Sequence, residues 1–304
     1  MNSSAPTKVT LYYFKFSFFS SVVRLVLHEK GVSFGMQHVD LPNFEQLKPD
    51  FLKLNKEGKV PVVRYELGGG DSFVLPESRD ISFDAEKRFS GPQYRSVVPE
   101  DEEKRQLMVR IIDMIQGLQL VIINRGATND NEAAEKKAAL DGYMKRVDLM
   151  KQLMQEYPEW KGLIQKKSKK ISDVFHRPPP AFAENYENRI KYESENIYEN
   201  IKSKEAVIAE WKRVEQVLDT LDSILSLHPA SSPKLLAGGD QYTIADAYAT
   251  ALLGRVTKLG RAPLIDARPS LKQWWTDVRA RPSYNQVFDA PCNTPNHEPG
   301  CRCK

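Results

Sequence analysis

The residues best placed to do chemistry lie in the stretch Asn55-Lys56-Glu57-Gly58-Lys59-Val60-Pro61-Val62-Val63 and in the pair Glu77-Ser78 beyond it. A turn built on Asn and Gly leads into a short apolar strand, with a proline at its mouth. Proline cannot donate to a sheet ladder, so Val60-Pro61 marks an edge strand or a special turn. It is also a position where a cis X–Pro bond is expected. A cis bond there turns the N–H and carbonyl of Val60 outward, where they can pair with an extended peptide. Glu77-Ser78 follows a strand and opens a helix, and the N–H groups of a helix N-terminus bind carboxylates. An ordinary first helical turn uses the same two residue types.

The elements that must position these residues are legible from periodicity. Val9 to Tyr13 is an aromatic and β-branched run, hence a strand. Ser20 to Lys30 carries Val22, Val23, Val26 and Leu27 on one helical face, and Gly31 is its C-cap. A second strand is expected over 34–39 and a helix over 43–54. A hairpin of 60–66 with 72–75 turns at Gly68-Gly69-Gly70, and a helix follows over 78–89. Beyond Pro99 the chain reads as helices only, over 102–124, 131–157, 205–228 and 244–259, with a last helix around Trp274 and Trp275. Their stripes, such as Leu107, Ile111, Met114, Leu118 and Ile122, or Tyr143, Val147, Met150 and Met154, or Val207, Trp211, Val214, Leu218, Leu221 and Leu225, are bundle core. Thr243 caps the helix from 244, and Asp246 reaches back to the cap N–H.

Composition narrows the function classes. With 304 residues and 41% apolar content, the chain suits two domains with real cores. The net charge of +4 is too mild to argue for nucleic acid. No run approaches the ~18 apolar residues of a membrane helix, and the N-terminus lacks an apolar signal core. A cytoplasmic protein without a membrane anchor is expected. Cys292, Cys301 and Cys303 all fall near the C-terminus, where none staples a domain, and with His297 they match no zinc pattern. The expected division is a flexible 1–7, an α/β domain over 8–92, a helical domain over 93–288 with an insertion at 158–204, and a cysteine-bearing tail over 289–304. The insertion holds the basic run Lys166-Lys167-Ser168-Lys169-Lys170 and the break Pro178-Pro179-Pro180.

Taken in order, the Val60-Pro61 turn, Leu75-Pro76-Glu77-Ser78 with Ile81, Leu236-Ala237-Gly238 ahead of Thr243-Ile244-Ala245-Asp246, and Arg281-Pro282-Ser283 resemble a glutathione transferase along residues 8–288. The insertion resembles the subgroup of tetrachlorohydroquinone-dehalogenase-like and ganglioside-induced-differentiation-like transferases. The resemblance implies an α/β thioredoxin-like N-terminal domain plus an all-α helical bundle, glutathione as cosubstrate, no metal, and a homodimer.

The same resemblance implies a site. Ser17 lies seven residues before Arg24, the spacing at which serine-type and cysteine-type members place their catalytic residue. Tyr13, at the strand end, is the rival for a tyrosine-type mechanism, and Ser17, Ser20 or Ser21 could each be a plain helix cap. The dehalogenases carry a cysteine nearer position 19, which is Phe19 here. With no cysteine before Cys292, a protein-thiol mechanism is not expected, and the resemblance implies that Ser17 would stabilise the glutathione thiolate by hydrogen bonding. Val60 would pair with the cysteinyl backbone, Ser78 would bind the γ-glutamyl carboxylate, and Glu77 would face the ammonium or orient the loop. Lys59, with Lys48 as rival, would approach the glycyl carboxylate; either is equally at home as a solvated lysine. The electrophile pocket is expected between the domains, lined by Phe18 and Phe19 with Phe16, and by Arg110 or Tyr143. The implied function is addition of glutathione to a small apolar electrophile. The alternatives are a glutathione-dependent isomerase working by addition and elimination, and a non-catalytic scaffold that uses the insertion for partners.

Overall fold

A computed structural model describes residues 6–156, 191–228, 235–237 and 239–289. Gly238, the basic run and triple proline of the insertion, His297 and the three cysteines lie outside the described residues. The chain forms two compact units, one of Met1–Gly117 with Val217–Lys304 and one of Leu118–Gln216.

In the first unit β1 (Lys8–Tyr13), β2 (Gly35–His38), β3 (Val62–Glu66) and β4 (Ser72–Pro76) form one sheet in the order β2-β1-β3-β4. The β1–β2 pair is parallel and the other two are antiparallel. Side chains alternate across a strand, and the two faces are distinct. Val9, Leu11 and Tyr13 with Val63 and Tyr65 pack on Val23 and Leu27 of α1 (Phe18–Lys30) and on Ile81 and Ala85 of α3 (Ser78–Arg88). Val60 and Val62 face the other way, in one cluster with Val39 and with Phe51 of α2 (Pro49–Leu54). Burying each such side chain is worth roughly 1.5–3 kcal/mol.

Local chemistry sets the ends. α1 begins two residues earlier than its apolar face suggests, because Ser17 is its N-cap; Gly31 closes it in the left-handed region at φ 75°. The expected helix over 43–54 is interrupted. A single turn at Glu45–Leu47 ends at Lys48, which is extended at ψ 148°, and α2 restarts with Pro49 in its first turn. A residue before proline is pushed out of the helical region, and proline suits a first helical turn. Gly58 has φ 54°, and a Cβ there would lie 2.6 Å from Leu47 Cδ2 and 2.9 Å from the Gln46 carbonyl. Only glycine fits that turn, which leads into Val60.

The expected helix over 102–124 is two helices, α4 (Glu102–Gln116) in the first unit and α5 (Leu120–Arg125) in the second. α4 buries Met108, Ile111, Ile112 and Ile115, a stripe turned from the expected Leu107-Ile111-Met114 line. The chain leaves the helix at Gly117, so Leu118 and Ile122 never share its face. The second unit continues with α6 (Asp130–Glu156), a π-helical turn Tyr192–Ile197, α7 (Tyr198–Lys202) and the start of α8 (Lys204–Ser226). Tyr143, Val147, Met150, Val207, Trp211 and Val214 are buried in it, as the periodicity requires. Within this unit Glu210 accepts from the Gln119 N–H, and the Lys136 ammonium donates to the carbonyls of Ile123 and Gly126, satisfying the end of α5.

The first unit is completed by the rest of α8, α9 (Ile244–Lys258), α10 (Pro263–Asp266) and α11 (Pro269–Arg279). α9 is buried nearly all round and packs on α1 and α4. Asp246 is fully buried and accepts from the Leu236 N–H, the Thr243 N–H and hydroxyl, and Trp274 Nε1. Arg281 donates through Nε and Nη2 to Glu29 of α1 at 2.8 and 2.7 Å, and Ser283 adds its hydroxyl to the same carboxylate. Among the described residues no helix is long and apolar enough to cross a membrane, and no group of three or more His, Cys, Asp or Glu is placed to hold a metal.

His28, on the same turn of α1 as Glu29, supplies a pH test of this packing. Burial, with Arg24 nearby, lowers its pKa to about 4 against a small opposing effect of Glu29. A histidine held neutral contributes stability above its ordinary value near pH ~6.5, and that contribution is lost as pH falls toward 4. The urea midpoint of the wild type should therefore decline over that window. In His28→Gln the decline should be shallower, and equal slopes would refute the assignment.

Candidate functional site

The register of the sheet gathers the sequence-selected residues. Tyr12 pairs with Val62, and Val62 pairs with Pro76. The chain leaving β1 toward Ser17, the chain entering β3 through Val60-Pro61, and the chain leaving β4 toward Glu77-Ser78 thus lie at one end of three adjacent strands. Neighbouring strands are ~4.8 Å apart, so this end spans about 10 Å, the length of three extended residues.

Ser17 is half-buried, and its Oγ accepts from the Ser20 N–H at 3.3 Å. Its N–H donates to the Phe14 carbonyl at 3.0 Å, which fixes the loop. Capping uses the oxygen as an acceptor and leaves the hydroxyl hydrogen able to donate to an anion over the first turn of α1. The N-terminal N–H groups and dipole of α1 act on that anion too. Ser20 and Ser21 are not the cap. The Ser20 hydroxyl accepts weakly from the Phe14 N–H at 3.4 Å, and Ser21 donates to the Ser17 carbonyl at 3.1 Å. Tyr13 is 7% exposed within the sheet core, with the Arg24 guanidinium 5.1 Å from its ring centre. Arg24 donates to the carbonyls of Gln286 and Val287 at 2.9 Å, so it anchors α1 to the segment after α11.

The Val60–Pro61 bond is cis. Val60 itself precedes the ladder, which begins at Val62. Asn55 shapes the turn, donating from Nδ2 to the Lys59 carbonyl at 2.8 Å and accepting the Glu57 N–H at 3.1 Å. Lys59 pairs with Glu57 at 2.9 Å, and Lys48 stands exposed before α2.

Glu77 has φ 72°, rare for a residue with a side chain, and is the N-cap of α3. Such a conformation costs roughly 1–3 kcal/mol and persists where surrounding structure enforces it. It delivers Ser78 to the first position of α3. Ser78 is 4% exposed, and its Oγ lies 3.1 Å from the Tyr248 hydroxyl. The directions of this small network can be read from its donors. Arg79 only donates, so it faces Gln116 Oε1 at 3.1 Å; Gln116 Nε2 then donates to the Tyr248 oxygen at 2.9 Å. Tyr248 can pass its own hydrogen to Ser78, which leaves the Ser78 hydrogen for a ligand. Burial raises the Tyr248 pKa above the ordinary phenol range, so it stays a donor. Sequence reading missed Tyr248, Gln116 and Arg79: Tyr248 is one more apolar-looking position on a buried helix, and nothing in spacing joins it to Ser78.

The expected electrophile-pocket residues divide. Phe18 is 6% exposed and packs on Tyr248, and Tyr143 is 2% exposed beside Arg125 in the second unit. Both are core positions, because nearly all of each ring is already covered. Phe19, 39% exposed, and Arg110, on the exposed face of α4, keep free surface. Phe16 is 37% exposed. The Arg255 guanidinium donates to its carbonyl at 2.5 Å, and the Lys258 ammonium lies 3.6 Å from its ring centre. Neither cation was legible in the sequence, since both sit on the last turns of a helix read as buried.

Comparison with known proteins places the chain in a family. Residues 11–93 match the family described as glutathione S-transferase, N-terminal domain, and residues 181–282 match glutathione S-transferase, C-terminal domain. The chain is 38% identical over 129 residues to glutathione S-transferase 1 of Dianthus caryophyllus, covering 41% of this chain and 55% of that relative's own length. It is 25% identical over 285 residues to the tetrachloro-p-hydroquinone reductive dehalogenase of Sphingobium chlorophenolicum, covering 93% of this chain and 97% of the relative. Among solved structures, glutathione transferase F7 from Populus trichocarpa superposes with a TM-score of 0.57 at 20% identity, over 92% of this chain and 98% of that one. The two matched domains, in this order on this fold, make the chain a member of the glutathione S-transferase family.

Proposed function

We propose that the protein is a glutathione transferase of the serine type, which ionises the glutathione thiol and adds it to a small electrophile with an apolar body. The observation that supports the reading is the sheet register, which brings the end of β1, the start of β3 and the end of β4 together, so that the segments bearing Ser17, Val60-Pro61 and Ser78 leave or enter the sheet at one end. An extended tripeptide fits that span. Its cysteinyl backbone pairs with Val60, its γ-glutamyl carboxylate meets the Ser78 hydroxyl and the first N–H groups of α3, and its thiol meets Ser17. Glu77 receives the γ-glutamyl ammonium or orients the loop. Lys59 or Lys48 meets the glycyl carboxylate.

In this mechanism Ser17 never attacks. Its hydroxyl donates to the sulfur and the α1 N-terminus adds its field, so the thiolate exists at neutral pH and attacks the electrophile directly.

The reading is tested by retention on immobilised glutathione together with turnover of 1-chloro-2,4-dinitrobenzene. Wild type should be retained and active. Ser78→Ala should raise KM for glutathione about tenfold, the worth of one hydrogen bond to a carboxylate. Its kcat should fall less, because the bond is made in ground and transition states alike. Failure of wild type to bind glutathione would leave the fold without this function.

A further inference from the structure

A serine hydroxyl carries one hydrogen and an oxygen that accepts, so what it offers a ligand depends on what the protein does with the other half. At Ser78 the protein holds the oxygen. Ser78 is buried, and its Oγ lies 3.1 Å from the hydroxyl of Tyr248, which is fully buried on α9. A chain of partners sets the direction of that bond. Asp113 on α4 pairs with Arg79. The guanidinium only donates, so Gln116 presents Oε1 to it at 3.1 Å. Gln116 Nε2 then donates to the Tyr248 oxygen at 2.9 Å, and the Tyr248 hydrogen is directed to Ser78. Burial keeps Tyr248 protonated by raising its pKa. Glu77, the N-cap, brings no side-chain cap to the first turn of α3. The Ser78 hydrogen and the first N–H groups of α3 then act as donors together.

We propose, resting on the transferase reading above, that Tyr248 sets ligand specificity at Ser78: by filling the Ser78 oxygen it makes this corner select a group that only accepts, a carboxylate, over an amide in the same place. Tyr248 acts through Ser78 and touches no reacting atom, so it is a positioning residue. Its ring packs on Phe18 with centroids 6.1 Å apart, and Tyr248→Phe keeps that packing while removing the hydroxyl. In that variant the Ser78 oxygen is open, the hydroxyl turns, and an amide N–H finds an acceptor. Gln116→Glu reverses the chain from its other end. A carboxylate there still meets Arg79, but it accepts the Tyr248 hydrogen. Ser78 must then donate to Tyr248 and offer its oxygen to the ligand.

Calorimetric titration tests this with glutathione and with its analogue in which the γ-glutamyl α-carboxylate is a carboxamide. Wild type should bind glutathione about tenfold more tightly than the analogue, the worth of one charge-assisted hydrogen bond. Tyr248→Phe should lower that ratio about fivefold. Gln116→Glu should lower it further, because it adds a negative charge as well as reversing the chain. A purely structural role for Tyr248 would weaken both ligands by one factor and leave the ratio where it is. A wild-type ratio near unity, or a ratio that Tyr248→Phe leaves unchanged, overturns the proposal while the transferase reading stands. If Tyr248→Phe does not fold, an unchanged ratio in Gln116→Glu overturns it equally. Wild type that binds neither peptide overturns both the proposal and the transferase reading.

Discussion

Ser17→Ala should lower kcat/KM for glutathione addition by one to two powers of ten, because a hydrogen bond to a charged group is worth about 1.5–3 kcal/mol. The variant removes two things at once. The Ser17 oxygen also caps α1 by accepting the Ser20 N–H, and loss of a cap costs ~1 kcal/mol of stability. Ser17→Asp separates the roles. Aspartate caps as well as serine, so the unfolding midpoint should stay near wild type. Its negative charge beside the sulfur disfavours a thiolate, so activity should fall at least as far as in Ser17→Ala. Loss of activity that tracks loss of stability across both variants would make Ser17 a structural cap only.

The second large effect is on stability. Asp246→Ala should cost about 4 kcal/mol or more, since it strands four buried donors at ~1–3 kcal/mol each. Those donors are the N–H groups of Leu236 and Thr243, the Thr243 hydroxyl and Trp274 Nε1. Burial raises the Asp246 pKa and the four donors pull against it. A raised folded-state pKa means that this group's stabilisation is full below the ordinary carboxylate range and declines as pH rises through the raised value. The gap between wild type and Asp246→Ala should therefore be wider in acid than at neutral pH. Urea titrations at two pH values measure it, and a gap below 1 kcal/mol at either would show that water replaces the lost acceptor.

How much of this was legible depended on whether the signal was local. Gly31 ends α1 and Asp246 reaches back to Thr243 because each acts within one helical turn of its own residue. The period of Val207, Trp211 and Val214 survived because one uninterrupted helix carries it. The expected single helices over 43–54 and 102–124 were interrupted, the first at Lys48 ahead of Pro49 and the second between Gly117 and Gln119, whose ψ of 67° is not helical. Ser17, Val60-Pro61 and Glu77-Ser78 could be picked out because turns and helix starts announce themselves. The network behind Ser78 could not, because Tyr248 and Gln116 reach it only through tertiary packing, 170 and 38 positions along the chain. Lys258 and Arg255 were hidden for the same reason. A helix read as wholly buried gives no hint that its last turns lie against the loop before Ser17.

The central claim is that Ser17 and the α1 N-terminus ionise the thiol of bound glutathione. The direct measurement is ultraviolet thiolate absorbance of the glutathione complex as a function of pH, for wild type and Ser17→Ala. A free thiol titrates near pH ~8.5, and each unit of lowering is ~1.4 kcal/mol of thiolate stabilisation. Wild type should bring the midpoint down by one to two units, about 1.4–2.8 kcal/mol, and Ser17→Ala should lose most of that shift. Glutathione that binds to wild type and still titrates like the free thiol would contradict the claim.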